Sequence, residues 1–183
     1  MNILKSITEI RGVHYIYNNY VMTGGITTAV FLEMIGYKKF NEKKSVFYPD
    51  PKNPEKRKIR ISKDKRYVII NSGKTSFQDI GIMSELITSQ ENVFGEYIQV
   101  IVTSATAKEG VNFYNVVAEH MTPEWSWSGN YQAESRGLRV DSHDRLLEIS
   151  QNIIDDILNM LNHKQIASNS DLYQEANALV VSQ

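Results

Sequence analysis

The chain has 183 residues, 42% hydrophobic and 22% charged, which is typical of one globular domain with a full hydrophobic core. It has no cysteine, which excludes disulfides and a thiolate zinc site, and its four scattered histidines predict no metal site. No apolar run approaches the ~20 residues that cross a bilayer, so we expect no membrane partner.

Apolar periodicity predicts strands that alternate with helices along most of the chain. In order, these are a strand, a helix, a strand, a helix, two strands and a helix, over residues 12–21, 26–40, 66–71, 76–89, 97–105, 115–121 and 142–162, and the first helix is predicted to end near Gly36. The apolar run within 97–105 is typical of a strand in a sheet that is covered on both faces. This order predicts a mainly parallel sheet in a layered α/β domain over residues 1–163, followed by a poorly patterned tail, 164–183.

A basic insertion at about 41–66 interrupts the pattern. Between Glu42 and Arg66 ten lysines and arginines stand against four acids, so the segment carries +6 although the whole chain carries −1. Its prolines exclude a helix or a central strand at Pro49, Pro51 and Pro54. The charge predicts a phosphate-rich partner on one side of the domain, and a solvated insertion without a partner is the alternative.

Gly73, Lys74 and Thr75 stand between a predicted strand and a predicted helix, which is the order that a phosphate-binding P-loop uses. A complete P-loop reads G-x-x-x-x-G-K-[ST], but the position of its first glycine is Val68, inside the strand. So short a loop cannot surround a β-phosphate, which makes a P-loop kinase or nucleoside triphosphatase only a third hypothesis. If this helix N-terminus binds phosphate, we expect a phosphate of the nucleic-acid backbone.

The densest group of polar and charged residues lies within 98–143. The strand at 97–105 carries hydroxyl residues near its end, and Arg136 and Arg139 lie three positions apart. On a helix these two positions share a face, so both guanidinium groups could reach one anion. Arginine suits this role because its planar donors match phosphate oxygens, and an arginine pair bonded to surface carboxylates is the alternative.

Four stretches resemble the second RecA-like domain of superfamily 2 helicases and translocases. The sequence QAESRGLR (132–139) is similar to motif VI, TSATAKEGVNF (103–113) to motif V, and VHYIYNNYVMTGGI (13–26) to motif IV. The spacing from Trp125 to Gln132 resembles that of Swi/Snf-type translocases. With the Ser-His pair at 142–143, the pattern is most similar to helicases of nucleocytoplasmic large DNA viruses, of the poxvirus and mimivirus type.

The resemblance implies a three-layer RecA-like domain with a central sheet flanked by helices. It implies that Arg136 and Arg139 are arginine fingers, that Gln132 orients their segment, and that Gly110 and Asn112 couple the nucleotide cleft to nucleic acid. It also implies contacts to the nucleic-acid backbone from Asn18, Asn19, Gly73, Lys74, Thr75, Thr103 and Ser104.

The same resemblance implies ATP and Mg²⁺ as cofactors, bound mainly by a first RecA-like domain that this sequence does not contain. Alone, the chain is therefore expected to be inactive, as the C-terminal half of an ATP-dependent helicase or translocase. The implied partners are DNA or RNA, a first RecA-like domain in cis or in trans, and viral transcription machinery, in the host cytoplasm or the virion. The alternative is a non-catalytic module, derived from a helicase, that binds nucleic acid or a transcription complex.

Overall fold

The computed structural model describes residues 3–41, 44–70, 77–104, 113–122, 126–138 and 142–163. The elements in chain order are α1 (Ile3–Glu9), β1 (Val13–Asn18), α2 (Thr27–Met34), β2 (Lys38–Lys39), β3 (Phe47–Asp50), β4 (Asn53–Ile59), β5 (Arg66–Ile70), α3 (Phe77–Ile87), β6 (Val100–Ser104), β7 (Val116–Met121), α4 (Trp127–Glu134) and α5 (Asp144–His163). One π-helical turn, Val21–Ile26, leads into α2, and a 3₁₀ turn, Gln90–Asn92, follows α3. The chain divides into two compact units, Met1–Arg145 and Leu146–Gln183.

Five parallel strands form the central sheet, in the order β2-β5-β6-β1-β7. Parallel neighbours need crossover connections, and between β5 and β6 helix α3 supplies one, whereas the segment with β3 and β4 connects β2 to β5. The middle strand β6 is buried along its whole length, as its apolar run predicts. The predicted α/β class with a mainly parallel sheet is confirmed.

Side chains that alternate along each strand build a core on both faces of this sheet. On one face, Ile16 of β1 packs with Ile7 of α1 and Leu32 of α2. On the other face, Tyr15 of β1 lies in a cluster with Leu86 of α3. Helices therefore cover both faces, and the domain has the three layers of a RecA-like fold.

The basic insertion folds as an antiparallel hairpin of β3 and β4, separate from the central sheet. Phe47 pairs with Ile59, and both pack against the core cluster that contains the α3 side chains. Pro49 and Pro54 are tolerated because both strands of a two-stranded sheet are edge strands. The insertion thus contains no central strand, as predicted, but its prolines gave no indication of a hairpin.

Some elements are absent from the sequence prediction: helix α1 and the strands β2, β3 and β4. The second predicted element, a helix, covers Thr27–Met34 and ends near Gly36, as predicted. Gly36 has a φ of 92°, a left-handed conformation that ends a helix. The chain then returns to the sheet edge, where Lys38 pairs with Arg66.

Helix α5 forms the described part of the second unit and agrees with the helix predicted over 142–162. Among its apolar side chains, Leu147, Ile153 and Ile157 are exposed. Within the described ranges, none of the helices has the length and apolar character needed to cross a membrane. The predicted tail, 164–183, lies outside the described residues.

Candidate functional site

The carboxyl ends of β1 and β6 lie side by side at one edge of the central sheet. Asn18 is aligned with Ser104, and Tyr17 with Thr103, in a parallel register. Ligands of open α/β sheets bind outside the carboxyl ends of the strands. The fold therefore brings together two candidate residues, Asn18 and Ser104, that are far apart in the sequence.

The turn after β1 fixes the side chain of Asn18. Its Oδ1 accepts a hydrogen bond from the backbone N–H of Tyr20, at 3.1 Å. Gly24, in the π-helical turn, comes so close that a Cβ there would lie 1.9 Å from Asn18 Cγ. Only glycine fits at position 24, and the half-buried Asn18 and Asn19 are held at the edge of the sheet.

Thr103 and Ser104 have different surroundings because successive side chains of a strand face opposite sides. Thr103 is buried, and its Oγ1 donates a hydrogen bond to Tyr15 Oη at 3.1 Å. Ser104 is the last residue of β6 and is 5% exposed. The hydroxyl of Thr103 thus joins β6 to β1 inside the domain, and its contact to nucleic acid stays a prediction.

Helix α4 places Gln132 on the surface but does not extend to Arg136. Ser126 caps the helix by accepting a hydrogen bond from the backbone N–H of Gly129, and the helix ends at Glu134. Arg136 lies in the following turn, with its N–H bonded to the carbonyl of Ala133 at 3.2 Å. The helix on which Arg136 and Arg139 would share a face therefore does not include Arg136. Because Arg139 lies outside the described residues, the contact of both with one anion stays a prediction.

Backbone hydrogen bonds hold both sides of the 136–143 segment against the start of β7. The N–H of Phe113 donates to the carbonyl of Arg136 at 3.1 Å, and the N–H of Asn115 donates to the carbonyl of Ser142 at 2.8 Å. His143 Nε2 lies 2.8 Å from a carbonyl oxygen of β7. The predicted finger Arg139 lies in sequence between these two anchored points.

A half-buried carboxyl group beside this segment is absent from the sequence prediction. Glu119 of β7 is aligned with Tyr15 of β1, and a Cβ on Gly137 would lie 2.1 Å from Glu119 Oε1. Burial raises the pKa of Tyr15. The charge of Glu119 also raises this pKa, and the charge of Arg136 lowers it. Glu119, Tyr15 and Arg136 therefore lie close together. In the sequence, the one sign of a buried carboxyl group here is that Glu119 stands within an otherwise mostly apolar strand.

Burial, and secondly the charge of Glu134, raises the pKa of Glu119 to about 7. The ordinary value is 4.5, so between these two values the folded chain holds a proton that the unfolded chain has lost. The contribution of Glu119 to the free energy of unfolding therefore falls as the pH rises through this window.

We expect Glu119→Gln to raise the free energy of unfolding by about 1–2 kcal/mol at pH 8 and to leave it unchanged near pH 4. Urea unfolding of both proteins across this pH range measures the difference. The exposed Glu55, replaced by Gln, is the matched control and should give no such pH-dependent gain. A Glu119→Gln effect that is equal at every pH would contradict the raised pKa.

The remaining predicted site residues lie outside the described residues: Gly73, Lys74, Thr75, Gly110, Asn112 and Arg139. Their neighbours agree with the predicted order of elements, because β5 ends at Ile70 and α3 begins at Phe77. The roles of these six residues stay predictions.

Comparison with known proteins finds relatives in large DNA viruses. The R563 protein of Acanthamoeba polyphaga mimivirus, named as an ATP-dependent RNA helicase, is 26% identical over 172 residues, or 93% of this chain. The Termination factor NPH-I homolog of African swine fever virus is 27% identical over 162 residues, or 78% of this chain. The 087L protein of Invertebrate iridescent virus 3, named as a helicase, is 26% identical over 134 residues, or 72%.

This chain spans only a part of each relative: 27% of the mimivirus protein, 23% of the African swine fever virus protein and 12% of the iridescent virus protein. No family model matches the chain, and no solved structure matches it. The comparisons confirm the resemblance that the motifs indicate: across most of its length, the chain is a homologue of proteins of nucleocytoplasmic large DNA viruses, among them proteins named as helicases.

Proposed function

We propose that this chain is the second RecA-like domain, the C-terminal half, of an ATP-dependent nucleic-acid helicase or translocase. The observation that carries the proposal is that backbone N–H groups just before β7 bond Arg136 and Ser142, in a sheet whose carboxyl edge carries Asn18 and Ser104. The helicase names of the viral relatives support it.

In this proposal Arg136 and Arg139 direct positive charge to the γ-phosphate of ATP, which is held with Mg²⁺ by a first RecA-like domain. Such a finger stabilises the charge that develops during phosphoryl transfer. The backbone anchors at Phe113 and Asn115 suit this role because a finger must be held in position before the reaction. Gln132, on the exposed side of α4, orients the segment, while Gly110 and Asn112 couple it to nucleic acid.

The nucleic-acid contacts in this proposal lie at the carboxyl edge of the sheet. Amide and hydroxyl groups of Asn18, Asn19 and Ser104 bind sugar and phosphate without reading bases. Thr103 supports this edge through Tyr15, and Gly73, Lys74 and Thr75, which precede α3 in the sequence, add a phosphate contact in this proposal. In this proposal the partner in a virus is the transcription machinery; the African swine fever virus relative is named as a termination factor.

A chimaera tests the proposal. This chain replaces the matching 172-residue segment of the mimivirus R563 protein, and ATP hydrolysis is measured with and without nucleic acid. We expect nucleic-acid-stimulated hydrolysis in the chimaera and none from the isolated chain. An inactive chimaera that folds and still binds nucleic acid would instead favour a non-catalytic binding module.

The same chimaera tests the third hypothesis. A P-loop enzyme would lose all turnover on Lys74→Ala, because this lysine would hold the phosphates of the nucleotide. The proposed helicase half would lose at most some affinity for nucleic acid. Retained maximal hydrolysis at saturating nucleic acid therefore supports the proposal, and complete loss supports the P-loop enzyme.

A further inference from the structure

The β3–β4 hairpin carries a set of cations that the proposed function does not use. From Phe47 to Arg60 it has five lysines and arginines against two acids, a net charge of +3. The whole chain has a net charge of −1, so the hairpin is locally positive. Such a concentration on an ordered hairpin predicts an anionic partner.

Side-chain alternation divides β4 into two faces. Ile59 packs against the core, and Arg57 Nη1 lies 3.3 Å from Glu85 Oε1 of α3, so this face is directed towards the domain. Lys56 and Lys58 have the opposite parity and are exposed. The cations of this second face are therefore directed away from the core.

Three exposed cations of the hairpin make no ion pair with another residue that the structure describes. They are Lys52, in the turn of the hairpin, Lys56 and Arg60. Lys58 Nζ lies 3.1 Å from Asp50 Oδ1, so its charge is partly neutralised. Positive charge on the outward face therefore comes mainly from side chains that could neutralise an external anion.

The aromatic ring on this face belongs to Tyr48, which is aligned with Lys58. The guanidinium carbon of Arg60 lies 5.2 Å from the centre of that ring. Because the cation lies over one face of the ring and Tyr48 is half-buried, Tyr48 is poorly placed to stack on unpaired bases. The face therefore suits phosphates better than bases.

We propose that the outward face of the hairpin, formed by Lys52, Lys56, Lys58 and Arg60, binds the phosphate backbone of duplex nucleic acid. A duplex carries one charge per ≈1.7 Å of its axis, twice the density of a single strand, and so it suits cations that do not stack on bases. The proposal rests on the proposed function in one respect, namely that the domain acts on nucleic acid. The hairpin joins β2 to β5, at the far side of the sheet from β7, so this contact is separate from the finger segment.

Fluorescence anisotropy with the whole chain tests this contact. The probes are a labelled 20-base-pair DNA duplex and a single strand of the same length, and the variant is Lys52→Gln/Lys56→Gln/Arg60→Gln. We expect duplex affinity to fall about tenfold or more, and the negative slope of log affinity against log salt to become shallower by about 3. Single-strand affinity should fall by less, because the carboxyl edge of the sheet binds that probe.

A matched variant, Lys5→Gln/Arg11→Gln/Lys39→Gln, removes the same charge from exposed positions outside the hairpin and should bind the duplex within about twofold of wild type. Circular dichroism checks that both variants fold. Equal losses in the two variants, an equal loss for both probes, or no duplex binding by wild type would overturn the proposal. So would hairpin-dependent binding to phosphatidylserine vesicles in place of the duplex.

The chimaera separates failure here from failure of the proposed function. A hairpin variant that binds the duplex as wild type does, in a chimaera that hydrolyses ATP, overturns the hairpin contact alone. An inactive chimaera with duplex binding that depends on the hairpin overturns the helicase half and leaves the hairpin contact standing.

Discussion

Arg139→Ala should lower the nucleic-acid-stimulated ATP hydrolysis of the chimaera by about 10³-fold or more, because an arginine finger contributes ~10³–10⁵ in rate. The loss should fall on kcat, since the finger acts on charge that develops in the transition state. Nucleic-acid affinity should change by less than about twofold, because the backbone contacts lie on other residues. Steady-state hydrolysis and anisotropy titrations on the same preparation measure both quantities.

Two variants sharpen this test. Arg139→Lys keeps the charge but loses the planar pair of donors, so it should recover only part of the rate. Arg11→Ala removes an exposed arginine that is bonded to Glu96 and has no role in the proposed site, so it should leave the rate within about twofold. Full hydrolysis in Arg139→Ala would show that Arg139 is not a finger.

Asn92→Ala should lower the free energy of unfolding by about 3 kcal/mol, since buried groups that lose their hydrogen-bond partners cost ≈1–3 kcal/mol each. Asn92 is fully buried, and its Oδ1 accepts from the backbone N–H groups of Tyr97, at 2.9 Å, and Ile98, at 2.8 Å. Its Nδ2 donates to the carbonyl of Ile98 at 3.1 Å. One side chain thus shapes the loop that leads into the central strand β6.

Thermal unfolding measures this effect, and the midpoint should fall by about 6–12 °C. Gln90→Ala, at an exposed position of the same 3₁₀ turn, should shift the midpoint by less than about 2 °C. A shift for Asn92→Ala no larger than that of Gln90→Ala would show that water replaces all three hydrogen bonds.

Most of the fold could be predicted from residues that are close together in the sequence. The run at 97–105 predicts a strand covered on both faces because a polar face would need polar side chains at alternate positions, and β6 is buried throughout. The prolines at 49 and 54 exclude a central strand because they cannot donate hydrogen bonds to a ladder, and β3 and β4 lie outside the central sheet. These predictions succeed because each depends on residues that are close together in the sequence.

The site was only partly predictable. The motifs indicate Asn18, Ser104 and Arg136, and the sheet register aligns the first two. The end of α4 before Arg136 was not predictable, because the N–H that bonds the carbonyl of Arg136 belongs to Phe113, far away in the sequence. The spacing of Arg136 and Arg139 is local information, whereas the hydrogen bond between Phe113 and Arg136 joins residues that only the fold brings together.

By itself, the sequence determined the class of the domain, the alternation of its strands and helices, its viral helicase resemblance and the position of its excess positive charge. Only the tertiary structure decided which residues meet: Asn18 with Ser104, and Glu119 with Gly137. It also decided that the basic insertion is a hairpin with one face on the core and one directed outward. The physical reason is that periodicity and turn chemistry act over a few residues, whereas burial and pairing depend on segments that only the fold brings together.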